Sequence, residues 1–186
     1  MRNLIVFNHV SLDGYFADAN NQMDWAKAGN DDPEYAEFVG QNASGGGELL
    51  FGRVTYQMMA GFWPTPVAHQ HMPVVAKMMN SLPKVVFSRT LNEATWNNTR
   101  LLKGDLIDEV RKLKAESGDG MCILGSGKIV AQLAQAGLID SYQVIVNPIA
   151  LGRGRTMFDG APQLHLKLAA SRTFKNGKVS LTYVPA

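Results

Sequence analysis

The sequence predicts an α/β protein with a mostly parallel sheet, covered by helices on both faces and extended by a C-terminal antiparallel hairpin. Short apolar runs alternate with amphipathic segments four or five times along the 186 residues. The dipeptide Asn176-Gly177 lies between two runs of alternating apolar and polar residues, which is a strong hairpin signal. Because no linker interrupts these repeats, we expect a single domain over residues 1–186.

The individual elements follow from local patterns. Apolar residues spaced three and four apart predict helices, and short dense apolar runs predict buried strands. Acidic residues with a proline favour a helix start, whereas glycine and proline mark ends. The chain begins with a predicted strand and turn in NLIVFNHVSLDGYFA, a helix in DDPEYAEFVGQ and a break at SGGG (44–47). A strand in ELLFG and a helix in RVTYQMMAGF follow. The first half then ends with a predicted loop in WPTPVAHQHMP and a helix in VVAKMMNSL. The second half begins with predicted strands in KVVFS and TRLLKG and a helix in DLIDEVRKLKAESG. A strand in MCILG, a helix in KIVAQLAQA and a strand in SYQVIVNPIAL follow. A solvated loop in GRGRT (152–156) then leads to the hairpin.

Composition excludes several classes of protein. The formal net charge of +2 is small and evenly spread, so we expect no nucleic-acid partner. The single cysteine, Cys122, excludes an internal disulfide framework and fits a reducing compartment. The apolar run at the N-terminus is too short for a signal sequence, and no run approaches a membrane span. We therefore expect a cytoplasmic protein without a membrane partner.

The residues that follow the predicted strands carry most of the functional argument. In open α/β sheets, ligands bind at the carboxyl ends of the strands. Here these ends are followed by Ser11–Gly14, Gly52–Thr55, Ser88–Thr90 and Gly125–Lys128.

The turn Gly125-Ser126-Gly127-Lys128 joins a strand to a helix, where free amides and the helix dipole favour an anion. It is not a P-loop, because Cys122 and Ile129 stand where that motif needs glycine and a hydroxyl residue. It is not the dinucleotide fingerprint either, since that motif needs a third small residue where Val130 stands. A phosphate cradle and a simple strand–helix turn both remain open.

Two further strand ends offer donors to an anion. Arg53 and Thr55 follow Gly52, and Ser88 precedes Arg89 after the next strand. Each segment alone could be an ordinary polar turn or helix start. Three such ends together indicate a ligand with several phosphates.

The segments ELLFGRVTYQMM, KVVFSRTL and ILGSGKIVAQLAQAGLID occur in an order and spacing that resemble the dihydrofolate reductase fold. The resemblance is closer to the reductase domain of bacterial riboflavin biosynthesis and its stand-alone relatives, of which SLDGYFA after the first strand is also typical. It spans nearly the whole chain, and it implies a three-layer fold with NADPH as the cofactor.

The resemblance also assigns cofactor contacts to particular residues. It implies that the cofactor phosphates contact Gly52, Arg53 and Thr55, and that the adenosine 2′-phosphate contacts Ser88 and Arg89. It implies that the pyrophosphate contacts Gly125, Ser126, Gly127 and Lys128. It also implies that the loop from Val10 to Phe16, including Gly14, lies by the nicotinamide.

The implied reaction is hydride transfer to a C=N or C=O bond, which also needs a proton donor. Asp13, Asp31 and Asp32 are the candidates, although each also suits a turn or a helix start. Trp25 resembles the tryptophan that follows the mobile loop of dihydrofolate reductases.

Phe62 and Trp63 could wall a substrate pocket, or could equally be core or dimer contacts. Their segment AGFWPTPVAHQHMP contains no arginine for a ribose phosphate, which weakens the case for the riboflavin-pathway substrate. His69 and His71 have no evident third ligand, so we expect no metal.

The sequence therefore predicts an NADPH-dependent reductase of a small heterocyclic, pterin- or pyrimidine-like substrate. One alternative is the riboflavin-pathway reductase of 5-amino-6-(5-phosphoribosylamino)uracil. Another is a non-catalytic protein that senses NADP(H). The resemblance implies a homodimer, and an exposed hairpin edge would suit one.

Overall fold

A computed structural model of the protein describes residues 1–44 and 47–186. The strands are β1 (Leu4–Ser11), β2 (Tyr15–Asp18), β3 (Glu48–Gly52), β4 (Lys84–Phe87), β5 (Thr99–Leu102), β6 (Met121–Leu124), β7 (Ser141–Asn147), β8 (Gly154–Thr156), β9 (Leu166–Thr173) and β10 (Val179–Pro185). The helices are α1 (Pro33–Ser44), α2 (Arg53–Phe62), α3 (Pro66–His71), α4 (Pro73–Ser81), α5 (Leu106–Ala115) and α6 (Gly127–Gln135), with a 3₁₀ turn at Asp24–Lys27. None of the helices in the two described ranges is long and apolar enough to cross a membrane.

One eight-stranded sheet organises the fold, in the order β5-β4-β3-β6-β1-β7-β10-β9. The six strands from β5 to β7 run parallel, whereas β10 pairs antiparallel with both β7 and β9. The tight turn of the β9–β10 hairpin contains Gly177, whose φ of +81° is the left-handed conformation expected of the Asn-Gly signal. The predicted α/β class, with a mostly parallel sheet and a C-terminal hairpin, is confirmed.

Helices cover both faces of the sheet, so the molecule has three layers. On one face, Val110 of α5 and Leu133 of α6 pack against the buried even-numbered side chains of β1, such as Val6. On the other face, α2, α3 and α4 surround Phe51 of β3, while Tyr35 of α1 packs near β7. The alternation of apolar side chains along the strands therefore supplies a separate core to each layer.

Two segments that the sequence predicts as loops contain regular structure. Within WPTPVAHQHMP, α3 begins at Pro66, the Thr65 hydroxyl accepts a hydrogen bond from the amide of Ala68, and Ala68 is buried. Pro66 lies in a segment that the sequence predicts as a loop, but it begins α3, because proline is favourable at the first position of a helix. Within GRGRT, residues 154–156 form β8, which pairs with β2. A three-residue strand carries too little periodicity to be recognised. The predicted break at 44–47 lies partly outside the described residues.

The strand register brings three of the predicted turns together. Gly52 at the end of β3 is level with Phe87 at the end of β4. Leu50 of β3 is level with Ile123 of β6, so both strands end at the same edge. The segments that begin at Gly52, Ser88 and Gly125 are therefore neighbours.

At the opposite edge, Glu48 joins several elements through a buried carboxylate. Glu48 is 4% exposed and accepts hydrogen bonds from Arg2 Nη1 at 2.9 Å and Arg100 Nη2 at 2.8 Å. The Glu48 hydrogen bond and charge raise the pKa of Arg100 above its usual range. The pairing ties the N-terminus and β5 to the start of β3.

We predict that Glu48→Ala lowers the free energy of unfolding by about 3 kcal/mol, because the Arg2 cation, whose side chain is 8% exposed, loses its nearest and only buried carboxylate among the described residues. Glu116→Ala is the control: its carboxylate contacts the same two arginines but is 45% exposed, so the loss should stay below about 1 kcal/mol. Urea unfolding followed by circular dichroism measures both, and equal losses would contradict this account.

Candidate functional site

A groove of about 370 Å³ lies at the carboxyl edge of the sheet, where the glycine turns meet. The start of α2 forms one side of it and the start of α6 forms another. Its lining residues are Phe16, Ala17, Asn21, Met23, Gly52, Arg53, Val54, Thr55, Met58, Phe87, Gly125, Ser126, Gly127, Lys128, Ile129 and Arg155.

The groove is electropositive. Arg53, Lys128 and Arg155 line it, and none of the described lining residues is acidic. Two helix N-termini add partial positive charge and amides without intrahelical acceptors. The arrangement suits an anion with more than one negative group. Arg155 belongs to GRGRT, the segment that the sequence favours as a solvated loop, and the structure places it in the groove wall.

Asn8 holds the glycine turn in place from within β1. Its Oδ1 accepts a hydrogen bond from the Gly125 amide at 2.7 Å, and its Nδ2 donates to the Gly125 carbonyl at 3.3 Å. Asn8 is 2% exposed, so the loss of either bond would leave a buried polar group unpaired. Sequence reasoning missed Asn8, although a polar residue inside an apolar strand is itself a signal.

Side chains hold the rest of this turn. The Ser126 amide donates to Thr55 Oγ1 at 3.2 Å, and Ser126 Oγ accepts from the Gly52 amide at 2.9 Å. Ser126 Oγ also donates to the carbonyl of Leu124 at 3.3 Å. The turns after β3 and β6 are thus cross-linked. The hydrogens of the Ser126 hydroxyl and of the Gly52, Gly125 and Ser126 amides are all engaged within the protein.

The glycines are required by contacts within the protein. A Cβ on Gly125 would lie 3.0 Å from Thr55 Cγ2, and Gly125 has a φ of +61° that disfavours other residues. A Cβ on Gly127 would lie 3.0 Å from Phe16 Cε1. At Gly127, the space that the missing side chain leaves is therefore occupied by an aromatic ring of the protein.

Donors nevertheless remain for an anion. Gly127 and Lys128 are the first residues of α6, so their amides have no acceptor within the helix. Thr55 Oγ1 accepts from Ser126, which leaves its own hydrogen free to be donated. With the three cationic side chains, these groups fit the phosphates of a dinucleotide. Gly125 and Ser126 shape the turn and also line the groove, and their contact with a pyrophosphate stays a prediction.

Four of the residues predicted to contact the cofactor do not line the groove. Ser88 accepts hydrogen bonds from the amides of Thr90 and Leu91, which closes the turn after β4, and Arg89 is exposed beside it. Val10 is buried in the core below, and Gly14, with a φ of +87°, forms the turn after β1. Their roles toward a cofactor stay predictions.

A second cavity, of about 270 Å³, adjoins the groove and shares Met23 and Gly125 with it. It lies between the sheet and the layer of α1, α2 and α4. Its other lining residues are Ile5, Phe7, Asn8, His9, Val39, Asn42, Leu49, Met59, Trp63, Met72, Val75, Met79, Leu82, Cys122, Leu124 and Gln143. Most of this surface is apolar.

The two titratable side chains of this cavity are uncharged at neutral pH. Burial and the nearby charge of Lys178 lower the pKa of His9 to about 4. Burial raises the pKa of the Cys122 thiol to about 12. His9 also faces the Tyr35 hydroxyl and Asn147 Nδ2, each at 3.4 Å from a ring nitrogen. Its two nitrogens are thus engaged within the protein.

The predicted aromatic wall residues divide between the cavity and other places. Trp63 is 9% exposed and lines the cavity. Phe62 packs edge-on against Trp63, with ring centroids 5.0 Å apart, and lies beside Lys27. Trp25 lines neither space, and its Nε1 donates to the carbonyl of Gln22 at 3.1 Å.

Asp13, the predicted proton donor after β1, is an acceptor that fastens two loops together. It accepts from Ser11 Oγ at 2.5 Å and from the amides of Leu151 and Gly152. These hydrogen bonds, led by that from Ser11, lower the pKa of Asp13 to about 2. Asp13 lines neither the groove nor the cavity, so the geometry favours a structural role.

Asp31 and Asp32 also lie outside both spaces. Asp32 Oδ1 accepts from the amides of Glu34 and Tyr35 at the start of α1, and its Oδ2 accepts from the Asn176 amide in the hairpin. Asp31 is exposed. Asp32 therefore connects α1 to the hairpin. As for metals, the described residues contain no group of three or more His, Cys, Asp or Glu that could hold an ion, and His69 and His71 belong to α3.

Comparison with known proteins agrees with this architecture. Residues 2–180 match the family model of the RibD C-terminal domain. The chain is 28% identical over 183 residues to the uncharacterized protein YyaP of Bacillus subtilis, covering 98% of this chain and 94% of that one.

Solved structures show the same fold. A putative riboflavin biosynthesis protein from Shewanella sp. PV-4 superposes with a TM-score of 0.76 and 26% identity, over 99% of both chains. A deaminase/5-amino-6-(5-phosphoribosylamino)uracil reductase from Thermotoga maritima superposes with a TM-score of 0.71 and 14% identity, over all of this chain and 57% of that one. The resemblance drawn from the sequence motifs is confirmed.

We predict that Asp32→Ala lowers the thermal midpoint by roughly 2–4 °C, because α1 loses its cap and the hairpin loses an anchor. Asp31→Ala is the matched control and should leave the midpoint unchanged, since Asp31 is exposed. Differential scanning calorimetry measures both. If Asp31→Ala were the more damaging change, the assignment would be wrong.

We predict that Asp13 contributes to stability only while it is ionised. Its pKa is lowered from 3.8 to about 2 in the folded chain, so the contribution is complete above pH 3.8 and is lost as the pH falls through about 2. The stability difference between the wild type and Asp13→Asn should shrink over that window in acid-unfolding curves. A difference that does not change with pH would refute the role.

Proposed function

Because the chain belongs to the RibD C-terminal domain family, we propose that it is an NADPH-dependent oxidoreductase that reduces a small heterocyclic substrate. The observation that carries the proposal is the junction of the two spaces. A cationic groove that fits a dinucleotide adjoins an apolar cavity that fits a ring, and the two share Met23 and Gly125 in their walls. A cofactor in the groove could therefore present its reactive end to a molecule in the cavity.

In this proposal the chain binds the phosphates with charges and amides that it already presents. Arg53, Lys128 and Arg155 supply the cations, and the amides that begin α6 supply directed donors. Arg53 Nη1 now donates to Gln57 at 3.0 Å, so it is held along α2 beside the groove. Arg155 is held by Asn21 and lies over the Phe16 ring.

The nicotinamide, when bound, supplies a hydride to a C=N or C=O bond of the substrate. The protein's contribution is to bind, to orient and to exclude water through the apolar walls of the cavity. None of the described residues lining the cavity is a carboxylic acid, and His9 is neutral with both nitrogens engaged. We infer that the proton comes from water at the cavity mouth.

The same lack of an acid favours a second candidate, a protein that binds NADP(H) without catalysis. Turnover separates the two candidates. A reductase oxidises NADPH faster when a dihydropterin or pyrimidine acceptor is added, whereas a sensor binds NADPH but shows no dependence on the acceptor.

Selection of NADPH over NADH is assigned in this proposal to Ser88 and Arg89, which follow β4 next to the groove residue Phe87. A homodimer likewise remains a proposal. It is supported by β9, which is the edge strand at one end of the sheet and whose Leu168 is 49% exposed. Light scattering coupled to gel filtration would measure the mass in solution.

We predict that NADPH binds the purified chain and that Lys128→Ala and Arg155→Ala each weaken binding about tenfold, because each removes a cation from the phosphate groove. Lys112→Ala is the control: this exposed lysine lies on α5, outside the groove, and should leave the affinity unchanged. Isothermal titration calorimetry gives the dissociation constants of the wild type and of the three variants.

Two outcomes would oppose the proposal. Absence of measurable NADPH binding by the wild type would remove its basis. Equal losses in Lys112→Ala and Lys128→Ala would show a general charge effect rather than a site. A companion titration with NADH tests the assignment of Arg89 to the 2′-phosphate. The Arg89→Ala variant should lose the preference for NADPH over NADH.

A further inference from the structure

The cavity beside the groove has walls that are apolar and uncharged. Side chains from β1, β3, β6, α2 and α4 form them, with Trp63 as the large flat surface. None of the described lining residues carries a charge at neutral pH, since His9 is neutral and Cys122 is a thiol. Residues 45–46, outside the described ranges, are both glycine and so bring no charge.

Two lysines near this cavity, Lys178 and Lys27, have partners outside it. Lys178 Nζ is buried, donates to the Ala26 carbonyl and to Asn30 Oδ1, and lies 4.3 Å from the centroid of the Tyr35 ring. Lys27 lies over the outer aromatic Phe62. None of the described residues that line the cavity would offer a phosphate a cation, and burial of an unpaired dianion is strongly unfavourable.

Two carboxamides provide directed polar groups in the cavity wall. Asn42 of α1 donates through Nδ2 to Gln143 Oε1 of β7 at 3.2 Å, and this hydrogen bond is exposed, which places it at the mouth. The pair still offers the Asn42 carbonyl oxygen as an acceptor and the Gln143 amide group as a donor. An acceptor beside a donor is the complement of a lactam edge, which carries N–H next to C=O.

The size of the cavity limits the ligand. At about 270 Å³ it lies just below the roughly 300–1,000 Å³ typical of small-molecule sites, so it fits a ring system without a long substituent. A ribose phosphate attached to the ring would have to leave the cavity or be buried without a partner.

We propose that the cavity binds an uncharged, phosphate-free lactam heterocycle, with its ring between apolar walls and its amide edge at Asn42 and Gln143. The inference rests on the proposed function, because it names the substrate class of the same site. It separates this chain from a reductase that requires a phosphoribosylated pyrimidine.

Calorimetric titration of the whole chain, with and without saturating NADPH, tests the proposal with three defined probes. Quinazolin-4-one is a neutral bicyclic lactam, 3-methylquinazolin-4-one lacks its N–H, and uridine 5′-phosphate is a lactam that carries ribose and phosphate. We expect quinazolin-4-one to bind, the methylated probe to bind about tenfold more weakly, and uridine 5′-phosphate not to bind. These comparisons need no variant and do not depend on folding of a mutant.

A matched pair of variants then locates the binding. Val75→Phe fills the cavity from α4, whereas Val74→Phe makes the same change at a neighbouring position that is 57% exposed and outside the cavity. Only Val75→Phe should lose quinazolin-4-one, by tenfold or more, and both should retain the NADPH affinity of the wild type.

The outcomes are separable from those of the proposed function. Tighter binding of uridine 5′-phosphate than of quinazolin-4-one would overturn the substrate class, as would failure of the neutral lactam to bind. Equal affinities for the methylated and unmethylated probes would overturn the role of the carboxamide pair. Loss of NADPH binding alone would count against the proposed function and leave the cavity inference standing.

Discussion

The two hydrogen bonds between Asn8 and Gly125 fix the geometry on which both spaces depend. They hold the backbone after β6 against β1, at one of the two residues that the groove and the cavity share. Ser126 then adopts a left-handed conformation, with a φ of +58°, and cross-links to Thr55 and Gly52. The strand register places the starts of α2 and α6 side by side, and these hydrogen bonds hold the turn before α6 in its conformation.

The structure separates charge from apolar surface across this shared turn. On one side, three cationic side chains and the amides that begin α6 line an open groove. On the other side, a neutral histidine, a thiol and the three carboxamides of Asn8, Asn42 and Gln143 are the polar side chains of an otherwise apolar cavity. The carboxylates of Asp13 and Asp32 act away from both spaces, as acceptors that join loops and cap a helix. The carboxylates that join the loops are therefore separate from the polar residues that line the groove and the cavity.

Much of this could be predicted from the sequence, because the strands, most helices and the hairpin follow from periodicity and turn residues. The meeting of the segments that begin at Gly52 and Gly125 followed from the rule that ligands bind at the carboxyl ends of strands. Which groups of these turns hydrogen-bond within the protein, and which stay available to a ligand, could not be predicted. Whether the Gly125 amide faces a ligand or Asn8 depends on contacts across 117 residues. The cavity was equally hidden, since its walls come from elements distant in sequence.

The central claim is that NADPH binds between the starts of α2 and α6 with its reactive end toward Met23. Titration of the isotope-labelled chain with NADPH, followed by two-dimensional amide NMR, tests it directly. We expect the largest shifts at the amides of Gly127, Lys128 and Val54, and none at Asn97 or Thr99 on the opposite edge of the sheet. Shifts that cluster at the opposite edge, or no shifts at saturating NADPH, would contradict the account.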